Sequence, residues 1–261
     1  AVYEDPDAVA EPLVWHHNGI RNVRAVTAWL RDNLPRSGQM LSTGCSAGGT
    51  GSKVAHHLLR RDLAATRGFL LTDSGPIFPA PRGADPEEYP SVLLHARVRD
   101  AWGMDRANGP LAYLQEGMPQ LDLDDLGSFY PALSVALPAD RMGHVHFWQD
   151  LTYSAYSYER FFDGIGAETD PEARDAMLLE RWHKDTERQL QQLAGLANVG
   201  YYYPWFRTLA NSHCGTAVTF RDSDIQELGL ELQDFIDNVL DGQGAVMQAS
   251  ETDREADYNK P

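Results

Sequence analysis

A turn rich in small residues, TGCSAGGTG at positions 43–51, constrains the fold of this chain more than any other segment. The turn lies between a predicted strand, GQMLST, and a predicted helix, GTGSKVAHHLLRRDLAA. Its core has the pattern Gly-x-Ser-x-Gly, in which Ser46 is flanked by Gly44, Gly48 and Gly49. A backbone bent sharply from strand to helix is crowded, so these glycines predict a tight turn that exposes the serine.

A flexible loop and a phosphate cradle are the alternatives to such a turn. A Walker loop is excluded because no Gly-Lys-Ser/Thr run follows, and Lys53 comes after Gly51 and Ser52. A dinucleotide-binding fingerprint fits poorly, since its glycine spacing and its strand-terminal acid are both missing. The pattern and its context therefore favour a serine nucleophile, with the amides of Ala47 and Gly48 at the helix N-terminus as oxyanion donors.

Predicted strands alternate with predicted helices along the chain. This alternation favours an α/β fold with a mostly parallel sheet that helices cover on both faces. Later strands are predicted at RGFLLTDSG, GHVHFWQD and NVGYYYPWF, and the clearest helices at NGIRNVRAVTAWLRDN, DPEARDAMLLERWHKDTERQLQQLAGL and SDIQELGLELQDFIDNVLDG. A proline-rich segment at about 76–141 is predicted to be a helical insertion within a single domain of residues 1–248. A polar tail is predicted at 249–261.

Charge and composition exclude several classes of protein. The net charge of −16 repels phosphates, which argues against nucleic acids and anionic membrane surfaces as partners. No apolar run approaches the length of a membrane span, and we expect a signal peptide to be absent or already removed. Two cysteines are too few for a disulfide framework or a tetrahedral thiolate zinc site.

A serine nucleophile needs a base and an acid, expected in the order acid then histidine at the carboxyl ends of later strands. Asp150 closes GHVHFWQD at such an end, whereas Asp73 closes RGFLLTD and is the competing acid. Of the two histidines that follow Asp150, His183 lies inside a long predicted helix and His213 lies in a loop beyond the strand NVGYYYPWF. We therefore predict Asp150 as the acid and His213 as the base.

Aromatic residues cluster next to Asp150 and His213 in the sequence. They predict a substrate pocket, because aromatic surfaces suit acyl chains and sugar rings equally well. His144 and His146 share a strand face and could in principle bind a metal, but no further ligand cluster lies nearby in the sequence, so no metal site is predicted. The predicted pocket residues are His17, Asp73, Trp148, Tyr153, Tyr203 and Trp205.

The motifs TGCSAGGTG, LTDSG, FWQD and NSHC occur in the order expected for the pectin acetylesterase and Notum-type carboxylesterases. The chain resembles this family over about residues 15–215. The resemblance implies an α/β-hydrolase-like serine esterase without a cofactor, in which Ser46 is the nucleophile, Asp150 orients the base and His213 is the base. The implied substrate is a carboxylic ester, such as an O-acetyl or short-to-medium acyl ester of a saccharide or other alcohol. A polyester depolymerase or an amidase would use the same triad, and a non-catalytic ligand-binding module is the alternative from another class.

Family members carry a glycine-rich, tryptophan-containing oxyanion segment on earlier strands, well upstream of the nucleophile. Only 45 residues precede Ser46 here, and they hold no such segment. We therefore expect the sheet to lack its N-terminal strands in this chain. The chain is then a fragment, or it is nicked and a second polypeptide supplies those strands and the oxyanion segment, or the protein is degenerate.

The two cysteines adjoin the proposed nucleophile and base. Cys45 precedes Ser46, and Cys214 follows His213. If Ser46 and His213 lie within hydrogen-bond reach, the cysteines are close enough to form a disulfide, which would imply an oxidising compartment. Two small buried thiols are the alternative. The location expected on this basis is secreted or in the cell envelope.

Overall fold

A five-stranded, all-parallel sheet forms the centre of the computed structural model, which describes residues 2–3, 13–14, 16–208, 211–217 and 223–252. The predicted α/β class with a parallel sheet is confirmed. A separate antiparallel pair consists of β1 (Val2–Tyr3) and β2 (Leu13–Val14). The sheet order is β3 (Gln39–Cys45), β4 (Arg67–Asp73), β5 (Arg141–Val145), β6 (Val199–Tyr203) and β7 (Gln248–Ser250).

Helices connect these strands, as parallel pairing requires. Short 3₁₀ segments occur at Leu126–Ser128 and Gln226–Leu228. No helix in the described part of the chain is both long and apolar enough to cross a bilayer. The helices are α1 (Gly19–Asn33), α2 (Ala47–Leu63), α3 (Val92–Trp102), α4 (Pro110–Gly117), α5 (Phe129–Ala136), α6 (Leu151–Tyr158), α7 (Asp163–Ala167), α8 (Pro171–Leu193) and α9 (Leu232–Asp241).

Two hydrophobic cores lie on opposite faces of the sheet, because successive strand residues point to opposite sides. On one face, Leu70 and Met142 pack in a cluster with residues of α2, α4, α5 and α8. On the other face, Leu71 and Val145 pack against Phe235 of α9. Strands β4, β5 and β6 are consequently buried along almost their whole length, and helices cover both faces.

The proline-rich segment at about 76–141 shares the larger core. Met104, Leu114 and Leu133 from this segment belong to the same buried cluster as Leu70 of the sheet. The segment therefore packs directly on the sheet.

The prediction that a polar tail begins at residue 249 is wrong. Residues 248–250 form β7, which pairs in parallel with β6. Glu251 is buried at 2% exposure and accepts an ion pair from Arg207, with 3.1 Å between Nη1 and Oε2. This polar sequence is therefore held by strand pairing and by an acid that neutralises a fully buried guanidinium. Residues 253–261 of the predicted tail lie outside the described residues.

Two other predicted elements end at different places. The strand predicted over GHVHFWQD continues only to Val145, so Asp150 caps α6 instead of ending a strand. The helix predicted from residue 223 begins at Leu232, because Gly229 adopts a left-handed conformation (φ 61°) that ends the preceding 3₁₀ turn. The amphipathic pattern gave the element type but not its start.

Lys53 of α2 is buried in the larger core. It is 1% exposed, and its ammonium group has no hydrogen-bond partner among the described residues. Burial lowers the pKa of Lys53 from 10.5 to about 7, although the face of the Tyr130 ring, 4.4 Å from Nζ, favours the cation. The charge of Lys53 also helps burial to lower the pKa values of His144 and His146.

Replacing Lys53 by methionine is expected to stabilise the protein at pH 7 by about 2–5 kcal/mol, at about 1.4 kcal/mol per pKa unit. The folded pKa lies below the unfolded one, so the wild type loses stability as the pH falls from about 10.5 to about 7 and recovers it as the pH rises through the same range. Urea unfolding at pH 7 and pH 10 measures this difference. Lys184, whose exposed side chain forms an ion pair with Glu180, provides the control. The K184M substitution is expected to change the free energy of unfolding little. Equal stability of K53M and wild type at pH 7 would contradict the prediction.

Candidate active site

Ser46 occupies a strained backbone position between β3 and α2. Its dihedral angles are φ 56° and ψ −128°, which non-glycine residues rarely adopt. The Ser46 amide donates to the Asp73 carbonyl at 2.8 Å, which fixes the turn to the neighbouring strand β4. Backbone strain of this kind is typical of a functional turn, and the half-buried Ser46 lies at the carboxyl edge of the sheet.

Close backbone approaches explain the glycines around Ser46. A Cβ atom on Gly44 would lie 2.4 Å from the Gly48 carbonyl oxygen, and one on Gly49 would lie 2.7 Å from the Asp73 carbonyl oxygen. Gly75, which sequence analysis missed, is tighter still, since its Cβ would lie 2.2 Å from the Ser46 carbonyl oxygen. The expectation that Gly48 is needed for room is wrong, because no atom lies within 4 Å of a Cβ there.

The N-terminus of α2 lies directly after Ser46. Ala47 and Gly48 are the first two residues of this 17-residue helix, and both are exposed. The first N–H groups of a helix have no intrahelical acceptor, and the helix dipole makes this end positive. The two predicted oxyanion donors are therefore amides at an open helix N-terminus next to Ser46.

Asp150 and His213, which sequence analysis singled out, are hydrogen-bonded to each other. The distance between His213 Nδ1 and Asp150 Oδ2 is 2.7 Å. The other carboxylate oxygen, Oδ1, accepts the Tyr153 amide at 2.8 Å and so caps α6. Asp150 is fully buried, and this burial raises its pKa while the bond to His213 opposes the rise. A carboxylate fixed at both oxygens can hold the imidazole with its proton on Nδ1.

Asp73, the competing acid, supports the histidine loop instead of contacting its ring. Its Oδ2 accepts from the Thr216 amide at 2.7 Å and from the Thr216 hydroxyl at 2.6 Å. Ser74 extends this link, since its Oγ donates to Asp73 Oδ1 at 3.0 Å and accepts the Cys214 amide at 2.9 Å. Asp73 thus joins the loop of His213 to β4, and it is too buried to line an open pocket as predicted.

A disulfide joins Cys45 to Cys214, so the first of the two alternatives for the cysteines holds. The Cα atoms of the two cysteines are 5.7 Å apart, and a ring nitrogen of His213 lies within 4.8 Å of both sulfurs. Since consecutive Cα atoms are about 3.8 Å apart, the Cα atoms of Ser46 and His213 lie within about 13 Å of each other. Among the described residues the Ser46 hydroxyl makes no hydrogen bond, to His213 or to any other group.

Removing this disulfide is expected to lower the free energy of unfolding by about 3–5 kcal/mol, because the bond closes a long loop. The sequence separation of the two cysteines is 169 residues. Urea unfolding of the C45A/C214A variant and of the wild type, each with and without reductant, measures the effect. The variant should not respond to reductant, whereas unchanged stability of the variant would contradict the prediction.

Tyr153 links α2 to the region of His213. Its hydroxyl lies 3.0 Å from Thr50 Oγ1, and its ring centroid lies 6.4 Å from that of His213. The Thr50 amide in turn donates to the Ser46 carbonyl at 3.2 Å. Tyr153, a predicted pocket residue, is thus buried beside His213, and Thr50 is a neighbour that sequence analysis did not identify.

The other predicted pocket residues fall in three environments. Tyr203 is fully buried and stacks on His146 at 4.0 Å, so it belongs to the core and not to an open pocket. Trp148 and Trp205 are half-buried, with ring centroids 6.0 Å apart, on the loops that follow β5 and β6. His17 is exposed, and its ring lies 6.1 Å from that of Trp102 at the end of α3.

One cluster of three potential metal ligands occurs among the described residues, and two of the three are already bonded to each other. Cys45, His213 and Cys214 are the one group of three such side chains found close together there, and the disulfide occupies both sulfurs. His144 and His146 are fully buried and hydrogen-bonded to each other, with Nε2 and Nδ1 2.9 Å apart.

Strand β3 lies at one edge of the described sheet. Its outer side pairs with no described strand, and Leu41 and Thr43 are exposed along it. Helix α1, which packs against α2, also exposes apolar side chains, with Val26 at 58% and Trp29 at 59%. An unpaired edge offers free N–H and C=O groups to a further strand.

Comparisons with protein-family models, with curated proteins and with solved structures found no match to this chain.

Proposed function

We propose that this chain is a serine hydrolase that deacylates carboxylic esters through an acyl-enzyme. One observation carries the proposal. His213, on a loop that a disulfide links to the residue before Ser46, is hydrogen-bonded at 2.7 Å to the fully buried Asp150 at the start of α6. A base and its orienting acid held near a strained, half-buried serine suit nucleophilic catalysis.

The proposed reaction follows from the roles of these groups. Asp150 accepts a hydrogen bond from the protonated Nδ1 of His213. This leaves Nε2 free to take the Ser46 proton as Oγ attacks the ester carbonyl. The amides of Ala47 and Gly48 stabilise the tetrahedral oxyanion, and the imidazolium returns its proton to the departing alcohol. Water, deprotonated by the same imidazole, then releases the carboxylic acid from Ser46.

The substrate class that we propose is an O-acetyl or short-to-medium acyl ester of a saccharide or other alcohol. The half-buried ring of Trp148, two residues before Asp150, lies 6.0 Å from that of Trp205, and this aromatic surface supports a substrate with sugar rings or acyl chains. Polyesters and amides are the other substrates that the same groups would attack. The disulfide supports a secreted or cell-envelope location, because disulfides persist in oxidising compartments.

A second polypeptide segment, we further propose, pairs with the free edge of β3 and supplies another oxyanion donor. The unpaired strand β3 leads directly to Ser46, and apolar side chains are exposed at Leu41 on this strand and at Trp29 on α1. Loss of one oxyanion donor costs about 10²–10³ in kcat. The chain alone is therefore expected to acylate at Ser46 but to turn over slowly.

Labelling with a fluorophosphonate, followed by peptide mass spectrometry, tests the proposed function. We expect one phosphonyl group on Ser46, none in S46A, and full labelling in the control S52A. Ser52 is on the same helix, and its hydroxyl donates to the Thr43 carbonyl at 2.7 Å. A folded chain that is not labelled would overturn the hydrolase proposal and favour a non-catalytic ligand-binding module.

Steady-state hydrolysis of nitrophenyl acetate, nitrophenyl butyrate and the matching anilides completes the test. Ester cleavage without anilide cleavage supports an esterase, and the reverse would favour an amidase. A kcat of about 1–10³ s⁻¹ for the chain alone, which is usual for enzymes, would contradict the proposed second segment.

A further inference from the structure

A cleft of about 440 Å³ lies where α1 meets the end of α2 and α4. Four arginine side chains line it, whereas Asp62 is the one acidic residue in its lining. The whole chain carries a net charge of −16. The charge of this cleft is therefore opposite in sign to the net charge of the chain. The arginines are Arg21, Arg24, Arg31 and Arg61.

Helical spacing brings the arginines together. Arg21, Arg24 and Arg31 lie on one side of α1, since residues three, four and seven apart share a face. Ala25 and Ala28 line the cleft between them, and their small side chains leave it open. Arg61, in the last turn of α2, faces this side of α1.

The guanidinium groups in the cleft are incompletely neutralised. Arg61 pairs with Asp62 at 2.6 Å and donates to the Tyr113 hydroxyl at 2.7 Å. Arg31 pairs with its exposed neighbour Asp32. For Arg21 and Arg24, the described residues provide no carboxylate within ion-pair distance. Two of the four positive charges thus lack an acidic partner within the described structure.

Tyr113 holds two of these charges close together. The guanidinium carbon of Arg24 lies 4.6 Å from the Tyr113 ring centroid, and that of Arg61 lies 5.4 Å from it. Two cations on one aromatic ring repel each other, and a bound anion would remove this repulsion. Guanidinium forks bind the oxygens of phosphate and carboxylate groups in pairs.

We propose that this cleft is a binding site for a dianionic oxyanion of the phosphate class, held by Arg21, Arg24 and Arg61. A dianion is favoured over a single carboxylate because the attraction grows with the charge of the ligand. Arg61 is 15 residues from Ser46, which places the cleft about 22 Å away along α2 at about 1.5 Å of rise per residue. The proposed anion site is thus separate from the proposed active site.

Isothermal titration of the full chain with inorganic phosphate at constant ionic strength tests this site. We expect saturable binding to one site, weakened at least about tenfold in the R21Q/R24Q variant, since charge-assisted hydrogen bonds would be lost. The control is R97Q, which removes an exposed arginine of α3 that lies 3.7 Å from Asp100, and it should bind like the wild type. A second titration with phenyl phosphate distinguishes a phosphate ester from the free ion, because tighter binding would indicate a ligand whose organic part contacts Tyr113.

Three results would overturn the proposal: no saturable binding of either probe, unchanged affinity in R21Q/R24Q, or equal weakening in R97Q. Circular dichroism of the variants shows whether they fold. Labelling of Ser46 is expected to be unaffected in all of them, so failure of the anion site is distinguishable from failure of the proposed hydrolase.

Discussion

Replacing Asp150 by asparagine is expected to lower the rate of Ser46 phosphonylation by about 10⁴-fold. Asparagine fits the same space and its oxygen can still accept the Tyr153 amide, so α6 keeps its cap. Its NH₂ group, however, would face Nδ1 of His213, where Oδ2 now accepts at 2.7 Å. The imidazole would then carry its proton on Nε2, where it cannot act as a base towards serine. The second-order rate constant for fluorophosphonate labelling measures the effect.

A matched control for D150N is available at the start of α8. Asp170 caps that helix in the same way, with its carboxylate accepting the Glu172 amide at 3.0 Å, and it is exposed. D170N tests the loss of a capping charge alone and should label at the wild-type rate. If D150N labels within tenfold of D170N, Asp150 does not orient the base.

Replacing Gly75 by alanine is expected to have the second large effect. The new Cβ would lie 2.2 Å from the Ser46 carbonyl oxygen and 2.6 Å from the Thr50 amide nitrogen, and both are backbone atoms that cannot turn away. Overpacking of this kind costs about 1–3 kcal/mol or more. Displacement of Ser46 by about 1 Å would slow labelling by about 10²-fold. Urea unfolding and labelling kinetics measure the two consequences separately.

Gly51 provides the control for G75A. It lies in α2, and no atom lies within 4 Å of a Cβ placed there. We expect the G51A substitution to raise the free energy of unfolding by about 0.5–1 kcal/mol through helix propensity. Ser46 should be labelled at the wild-type rate in this variant. Equal stability and equal labelling of G75A and G51A would show that the turn is not as tight as the structure has it.

Local sequence patterns were sufficient for the α/β class and for the turn at Ser46. The glycines around the serine report a steric requirement that acts over a few residues, and the structure bears this out at Gly44 and Gly49 but not at Gly48. The order of Asp150 and His213 along the chain also singled out two side chains that are hydrogen-bonded in the fold. The helical and strand periodicities of the sequence supported the rest of the α/β assignment.

Local sequence patterns could not predict the interactions between segments that are distant in the chain. Gly75 matters only because β4 ends against the Ser46 turn, and Glu251 pairs with a buried arginine, Arg207, that lies 44 residues earlier in the chain. The sequence around Asp73 does not reveal that its carboxylate is used by Thr216. Tyr203 was assigned to a pocket because aromatic residues serve both cores and pockets, and its burial is decided by the helices packed over the sheet.

The proposed mechanism depends on one step, the deprotonation of the Ser46 hydroxyl by His213. A crystal structure of the phosphonylated chain tests it most directly, because the adduct fixes the reacting atom in place. We predict phosphorus bonded to Ser46 Oγ, Nε2 of His213 within hydrogen-bond distance of Oγ, and a phosphonyl oxygen that accepts a hydrogen bond from the Ala47 amide. An adduct on another side chain, or an imidazole of His213 turned away from Ser46, would contradict it.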